Sequence, residues 1–295
     1  MKIGFIGLGR MGKSMAKRLL NREYEVVGWN RTREKALSLV KYGLELVDSP
    51  KVVGKETDII FIMVSDIPAI ENILHRNNGL LEGLKANSIV VNSSTILPSF
   101  SIKLAEKLKQ SKAKYVEAPV LGGPRDAEEG KLITLVGADK NIYDVVKPIL
   151  EDLSEKIYYL GEVGKASAMK LIFNMVAPSA LILLGEAINL GERAGLEVDK
   201  IIEILSLGPL KSVIERYFKK MMTQKVPSTF SLKLMTKDLQ YAVQMAYELG
   251  MPLFIPSLAE NIYRIALAKG MGEEYHARVY DILREISGLP LIENK

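Results

Sequence analysis

Gly7, Gly9 and Gly12 stand in the run Gly7-Leu8-Gly9-Arg10-Met11-Gly12, straight after the apolar stretch 2–6 and before an amphipathic stretch 13–21. Between a strand and a helix, this spacing suits a pyrophosphate. Gly7 permits the tight turn, Gly9 lets the backbone approach the phosphates, and Gly12 lets the helix pack closely on the strand. The helix then offers free N–H groups and the positive end of its dipole. A purely structural glycine turn is the alternative, and the strand–turn–helix context favours a dinucleotide. The next strand reads at 25–29. An acid at its end would grip the ribose 2′-hydroxyl of NAD, but the chain has Asn30-Arg31-Thr32-Arg33. No carboxylate is there to repel a phosphate, and Arg31 offers a planar fork that matches phosphate oxygens. Asn30 and Thr32 would add neutral donors. A solvated basic turn opening a helix over 33–42 would look similar. Behind the glycine fingerprint, the run reads as a site for NADP(H), with NADPH preferred over NADH.

Three further segments carry groups suited to chemistry. Asn92-Ser93-Ser94-Thr95 follows an apolar strand and precedes Pro98, so its hydroxyls either cap the next helix or meet a ligand. Gly122 and Gly123, in Val120-Leu121-Gly122-Gly123-Pro124, give adjacent backbone amides that can hold a carboxylate, or form only a turn. Lys170 is the strongest catalytic candidate. It lies one helical turn before Asn174 among Leu171, Ile172, Phe173, Met175 and Val176, so the two polar side chains share a face. Such a lysine either snorkels to solvent or faces a cleft, where loss of water would ready it for proton transfer. Finally, Thr236-Lys237-Asp238-Leu239 reads as a helix start. Asp238 suits a first turn and Lys237 does not, which hints at another partner for Lys237.

The elements that must position these groups change character along the chain. Strands read at 2–6, 25–29, 44–47, 58–64, 88–92, 114–118, 132–136 and 156–160, with helices such as 101–110 and 142–150 between most of them. That alternation predicts a parallel, doubly wound sheet with ligands at the carboxyl ends of its strands. Beyond Gly164 helical patterns take over, at 165–194, 198–205, 212–222, 236–249, 257–269 and 273–286. The expected fold is therefore α/β: a Rossmann domain over 1–163, then an all-α domain over 164–295, joined by a long interdomain helix. Pro178 should kink that helix, because it removes a backbone donor.

Composition narrows the function classes. The chain has 295 residues, 40 basic against 35 acidic, for a formal net charge of +5. That excess suits an anionic cofactor and an acidic substrate, and no dense basic run interleaved with aromatics points to nucleic acid. With no cysteine, disulfides, thiolate catalysis and cysteine metal sites are excluded. His75 and His276 are too far apart in sequence to suggest a metal motif, and read as surface or packing residues. The N-terminus opens directly into a strand, so a cytoplasmic protein without a signal peptide is expected. The apolar stretch 171–190 carries Asn174, Pro178, Ser179, Glu186 and Asn189. It reads as a buried helix or a subunit interface, not a membrane span, and a homodimer or homotetramer through the helical domain is expected.

Together these segments resemble the β-hydroxyacid dehydrogenase family, which includes 3-hydroxyisobutyrate dehydrogenases, tartronate semialdehyde reductases and glyoxylate/succinic semialdehyde reductases. The resemblance covers nearly the whole chain. It rests on Gly7 to Gly12, on Ser94-Thr95 with Pro98, on Ala118-Pro119-Val120 with Gly122, Gly123 and Gly130, on Gly164 before Lys170 and Asn174, and on Lys237-Asp238-Leu239. It implies Lys170 as general acid/base, with Asn174 beside it holding a small carboxylate-bearing substrate. It implies Gly122 and Gly123 on the substrate carboxylate, Ser94 at the substrate, and Thr95, Lys237 and Met63-Val64 on the nicotinamide side. Phe230 and Asp238 match positions near the pocket. Asn30-Arg31-Thr32 looks like the NADPH-dependent glyoxylate/succinic semialdehyde reductase branch. The chain departs from the family at Leu121, where serine is frequent, at Asn92, usually aspartate, and at Val64-Ser65, usually Leu-Pro. A 3-hydroxyisobutyrate dehydrogenase is the rival reading. Imine reductases share the architecture but typically put Asp or Tyr at the lysine position, and a non-catalytic dinucleotide-binding scaffold would not need the Lys170–Asn174 pair.

Overall fold

The computed structural model describes residues 2–292. Its first part alternates as the pattern predicts. The order is β1 (Lys2–Ile6), α1 (Arg10–Asn21), β2 (Glu25–Trp29), α2 (Leu37–Val40), β3 (Glu45–Leu46), α3 (Pro50–Glu56), β4 (Ile59–Ile62), α4 (Ile67–His75), β5 (Ile89–Asn92), α5 (Pro98–Gln110) and β6 (Lys114–Glu117). These six strands form one parallel sheet in the order β3-β2-β1-β4-β5-β6. Each strand sends alternate side chains to opposite faces, so two cores form. Ile3, Phe5, Val26, Phe61, Val91 and Val116 lie in one. Ile6, Val27, Ile60, Ile62, Val90 and Tyr115 lie in the other. β4, Ile59-Ile60-Phe61-Ile62, is buried on both faces, as a central strand covered on each side by helices must be.

The remaining strands do not extend this sheet, as the sequence pattern had suggested. β7 (Val120–Leu121), β8 (Leu132–Val136) and β9 (Ser154–Tyr159) form a separate three-stranded sheet. β7 pairs antiparallel with β8, and β8 parallel with β9. Two residues were too few to signal β7 by alternation. α6 (Pro124–Glu129) and α7 (Lys140–Leu153) connect these strands. The helix expected over 33–42 is a 3₁₀ turn, Arg33–Lys35, followed by the short α2.

The second part is helical: α8 (Lys165–Arg193), α9 (Val198–Leu205), α10 (Lys211–Met221), α11 (Leu232–Glu248), α12 (Phe254–Ala268) and α13 (Val279–Ile286). A 3₁₀ turn, His276–Arg278, replaces the first turn of the helix expected over 273–286. α11 starts earlier than expected, at Leu232, where the Ser231 hydroxyl accepts from Leu234 N at 3.4 Å. The core of this unit gathers Leu184, Ile188, Leu239, Tyr263, Tyr280 and Leu283. Contacts divide the chain into two compact units between Lys170 and Leu171. The first six residues of α8 therefore group with the strands, whereas the sequence reading put the division at 163/164. α8 stays one helix across Pro178. By length and composition it is long and apolar enough to cross a membrane, with 39% of its apolar window buried.

Candidate functional site

The glycine run folds as its spacing requires. Gly7 has φ +96°, and a Cβ there would lie 2.3 Å from the Met63 carbonyl oxygen. At Gly12 a Cβ would lie 1.9 Å from the Gly7 carbonyl oxygen, so α1 reaches this depth only with glycine. Gly9 is different. A Cβ there would meet nothing within 4 Å, so its bare backbone faces open space at the first turn of α1. That turn has no acidic residue, and Arg10 and Met11 begin the helix beside it. An exposed glycine face, a helix N-terminus and no nearby carboxylate on the first turn fit a bound diphosphate.

The end of β2 adds a tie that sequence did not reveal. Asn30 Oδ1 accepts from Leu8 N at 2.8 Å, and Asn30 Nδ2 donates to the Thr32 carbonyl at 2.7 Å. The Asn30 side chain, read as a neutral donor to ligand, is thus committed to shaping the glycine loop. Arg31 and Thr32 are exposed. Arg33 pairs with Asp48 at 2.9 Å, and Arg31 is the other cation of this turn.

The loops after β4 and β5 are joined by side chains. Val64 N donates to Ser94 Oγ at 3.0 Å, and Ser94 N to Asn92 Oδ1 at 3.1 Å. Ser94 is buried, while Met63, Val64 and Thr95 are half-buried at the carboxyl ends of the strands. Asn92, where the family usually has aspartate, also donates through Nδ2 to Tyr115 Oη at 3.3 Å.

Lys170 does not snorkel away. Its Nζ donates to the Val120 carbonyl at 2.8 Å, and the lysine is half-buried. Val120 stands two residues before Gly122, so the ammonium is held beside the glycine turn. Gly122 has φ +118°, a conformation that favours glycine. Gly123 is the N-cap of α6. Its amide donates to Asp126 Oδ2 at 2.6 Å, because α6 begins here and Asp126 caps it. Asp126 escaped notice in the sequence, although an acid three residues after a glycine cap is a recognisable start signal.

Glu117 was also missed. It lies at the end of β6, fully buried, and accepts from Gly164 N, Ala166 N, Ser167 Oγ and Ser101 Oγ. Burial pushes its carboxyl up, and these donors oppose that. The available signal was a charge inside the apolar run Tyr115-Val116-Glu117-Ala118-Pro119-Val120.

In the helical unit, Asn174 Nδ2 donates to Asp238 Oδ2 at 2.6 Å, and Lys237 Nζ pairs with Asp238 Oδ1 at 3.0 Å. Asp238 is buried between these two partners. The earlier start of α11 puts Lys237 in its second turn. The first-turn dipole argument therefore lapses, and Asp238 is the partner that Lys237 lacked in the sequence. Phe230 packs edge-on to His276 with ring centroids 5.9 Å apart. His276 is a packing residue, its ring held down to about 3 by burial and then by Lys220 and Arg216. Exposed His75 pairs with Glu71. Among the described residues no group of three or more His, Asp or Glu could hold a metal ion.

Two family models match successive parts of the chain. One, described as the NAD binding domain of 6-phosphogluconate dehydrogenase, covers residues 2–161. The other, described as NAD-binding of NADP-dependent 3-hydroxyisobutyrate dehydrogenase, covers residues 164–283. Glyoxylate/succinic semialdehyde reductase 2, chloroplastic, of Arabidopsis thaliana is 32% identical, over 96% of this chain and 80% of its own. The 2-(hydroxymethyl)glutarate dehydrogenase of Eubacterium barkeri is 30% identical, over 98% of this chain and 97% of its own. Among solved structures, Psf3 in complex with NADP+ and 2-OPP is 27% identical, with a TM-score of 0.82 over 95% of this chain and 99% of its own.

Proposed function

The chain belongs to the β-hydroxyacid dehydrogenase family of NAD(P)-dependent oxidoreductases, and we propose that its own reaction is NADPH-dependent reduction of small aldehyde acids. Glyoxylate and succinic semialdehyde typify the substrates, and the hydroxyacids are oxidised in reverse. The observation that carries this reading is Lys170, an ammonium fixed at 2.8 Å on the Val120 carbonyl beside the Gly122 turn. The fingerprint Gly7–Gly12 would hold the diphosphate, Arg31 with Thr32 the 2′-phosphate, and Met63, Val64, Thr95 and Lys237 the nicotinamide side.

When bound, the dinucleotide supplies the hydride. Lys170 donates a proton to the alkoxide oxygen that develops at the substrate carbonyl, and takes it back in the reverse direction. Val120 holds Nζ so that little reorganisation precedes that transfer. Asn174, one turn along α8, has its amide nitrogen fixed by Asp238, which leaves its carbonyl oxygen as an oriented acceptor for the substrate. Ser94 and Phe230 border the pocket in this reading. The substrate carboxylate lies at Gly122 and Gly123, where it meets competition from Asp126.

The second reading is a 3-hydroxyisobutyrate dehydrogenase, favoured by the family model over residues 164–283. Steady-state assays with glyoxylate, succinic semialdehyde and 3-hydroxyisobutyrate, each with both cofactors, decide between them. Highest kcat/KM for an aldehyde acid with NADPH is expected, and highest kcat/KM for 3-hydroxyisobutyrate would overturn the substrate assignment. We also propose a cytoplasmic homodimer or homotetramer assembled through the helical unit.

A further inference from the structure

We propose that Glu117 is the positioning residue for Lys170, holding the first turn of α8 in register with the β6–β7 segment. This inference rests on the reading of Lys170 as the acid. Two ties join the same pair of segments. Glu117 receives Ser167 Oγ, and three residues further along both segments Val120 receives Lys170 Nζ at 2.8 Å. The Glu117 tie is the stronger. Oε1 accepts from Gly164 N and Ala166 N, both at 2.8 Å, and Oε2 accepts from Ser167 Oγ at 2.5 Å and Ser101 Oγ at 2.7 Å. Both oxygens are engaged, and the carboxylate meets the positive end of a 29-residue helix.

A buried charge is a poor way to gain stability, because well-packed apolar groups commonly do as well. What four directed bonds supply is a fixed orientation. With α8 released at Glu117, the tie of Lys170 to Val120 would sit on a helix start free to shift. The loops on the nicotinamide side connect to the same point. Asn92 Nδ2 donates to Tyr115 Oη, Tyr115 Oη meets Ser101 Oγ at 3.0 Å, and Ser101 donates to Glu117. Since Asn92 also receives Ser94 N and Ser94 receives Val64 N, one buried chain of bonds runs from Val64 to the start of α8.

The test compares Glu117→Ala, Glu117→Gln and Lys170→Met. In Glu117→Gln the amide oxygen keeps the Gly164 and Ala166 bonds, and the two serine hydroxyls can turn to accept from the amide nitrogen. A positioning role predicts that Glu117→Ala lowers kcat about 100-fold, as misplacement by an ångström does. NADPH Kd should stay within about twofold, and Glu117→Gln should recover kcat to within about fivefold of wild type. Hydrogen exchange gives a readout without turnover: the peptide over 164–170 exchanges at least about tenfold faster in Glu117→Ala, with β1 and β4 unchanged. Wild-type kcat, wild-type exchange at 164–170, or loss of NADPH binding together with kcat would each overturn the inference. Wild-type kcat in Lys170→Met overturns the acid assignment instead, and an inactive Lys170→Met beside a fully active Glu117→Ala overturns Glu117 alone. Should Glu117→Ala not fold, Glu117→Asp, too short to span both serines and the α8 amides, carries the same expectations.

Discussion

Lys170, Arg31 and Glu117 show how little of a side chain's role follows from its type. Lys170 is one of many lysines, and its tie to the Val120 carbonyl distinguishes it from a snorkelling neighbour. Lys170→Met keeps the bulk and removes the proton, so kcat should fall by at least about 10²-fold with NADPH Kd unchanged. Single-turnover kinetics with a tryptophan-fluorescence titration would check both. A mutant retaining more than about a tenth of wild-type kcat has lost less than that range requires and rejects the assignment. Arg31 is exposed at the end of β2, and the proposed phosphate contact is charge-assisted. Arg31→Asp should weaken NADPH by about 1.5–3 kcal/mol, roughly 10- to 150-fold, and NADH far less. Equal changes in KM for both cofactors would remove Arg31 from the phosphate site.

At the level of elements, most of the framework was legible because apolar period and glycine spacing are local signals. β1, β2 and β8 fall where the pattern puts them. What stayed illegible depends on distant pairing. The Val120–Leu121 pair becomes a strand only because Thr134 and Ile133 lie opposite, and that splits off a second sheet. Glu117 gained its α8 partners through chain segments brought together by folding, so one sequence could not announce them, whereas Asp126 caps its own helix from three residues away and was a local signal. The glycine loop allows a sharp test. In Gly12→Ala the new methyl strikes a backbone oxygen at 1.9 Å, which should cost at least about 1–3 kcal/mol of stability. Gly9→Ala fills open space at an ordinary φ of −71°. Its melting temperature should match wild type while dinucleotide affinity drops. Comparable destabilisation of both variants would show that Gly9 is merely structural.

For the whole molecule, the helical unit exposes large apolar side chains. Ile172, Phe173, Val176, Leu183 and Leu190 on α8, and Phe254, Ile255 and Leu258 on α12, are all exposed. Ile182, Leu183, Ile255 and Leu258 line a cavity of about 270 Å³ between these helices. The proposed assembly would cover this surface, so light scattering at micromolar concentration should give at least a dimer, and a monomer would contradict the proposal. Stability as a whole should depend on pH through His276. Its folded-state value, about 3 against an ordinary 6.5, means the unfolded chain takes up the proton first. That contribution is complete above about pH 6.5 and is lost on acidification toward 3, at up to ~1.4 kcal/mol per pH unit. Urea titrations at pH 7 and pH 5 should show a shallower loss in His276→Phe. Parallel losses in both proteins would put the acid sensitivity elsewhere.

The bond from Leu8 N to Asn30 gives residue 30, in the turn proposed to select the cofactor, a second duty. An oxygen at residue 30 braces the turn proposed to face the diphosphate, and a braced loop spends little affinity on becoming ordered. Preference can therefore drift between the two nicotinamide cofactors only along a restricted path. Aspartate at position 30 would preserve the brace while adding the acid that suits NADH. Alanine or leucine there would lower selectivity and slacken the loop together. Interchange of Asn and Asp is thus the economical route for evolution or an engineer, with residue 31 free to change first or last.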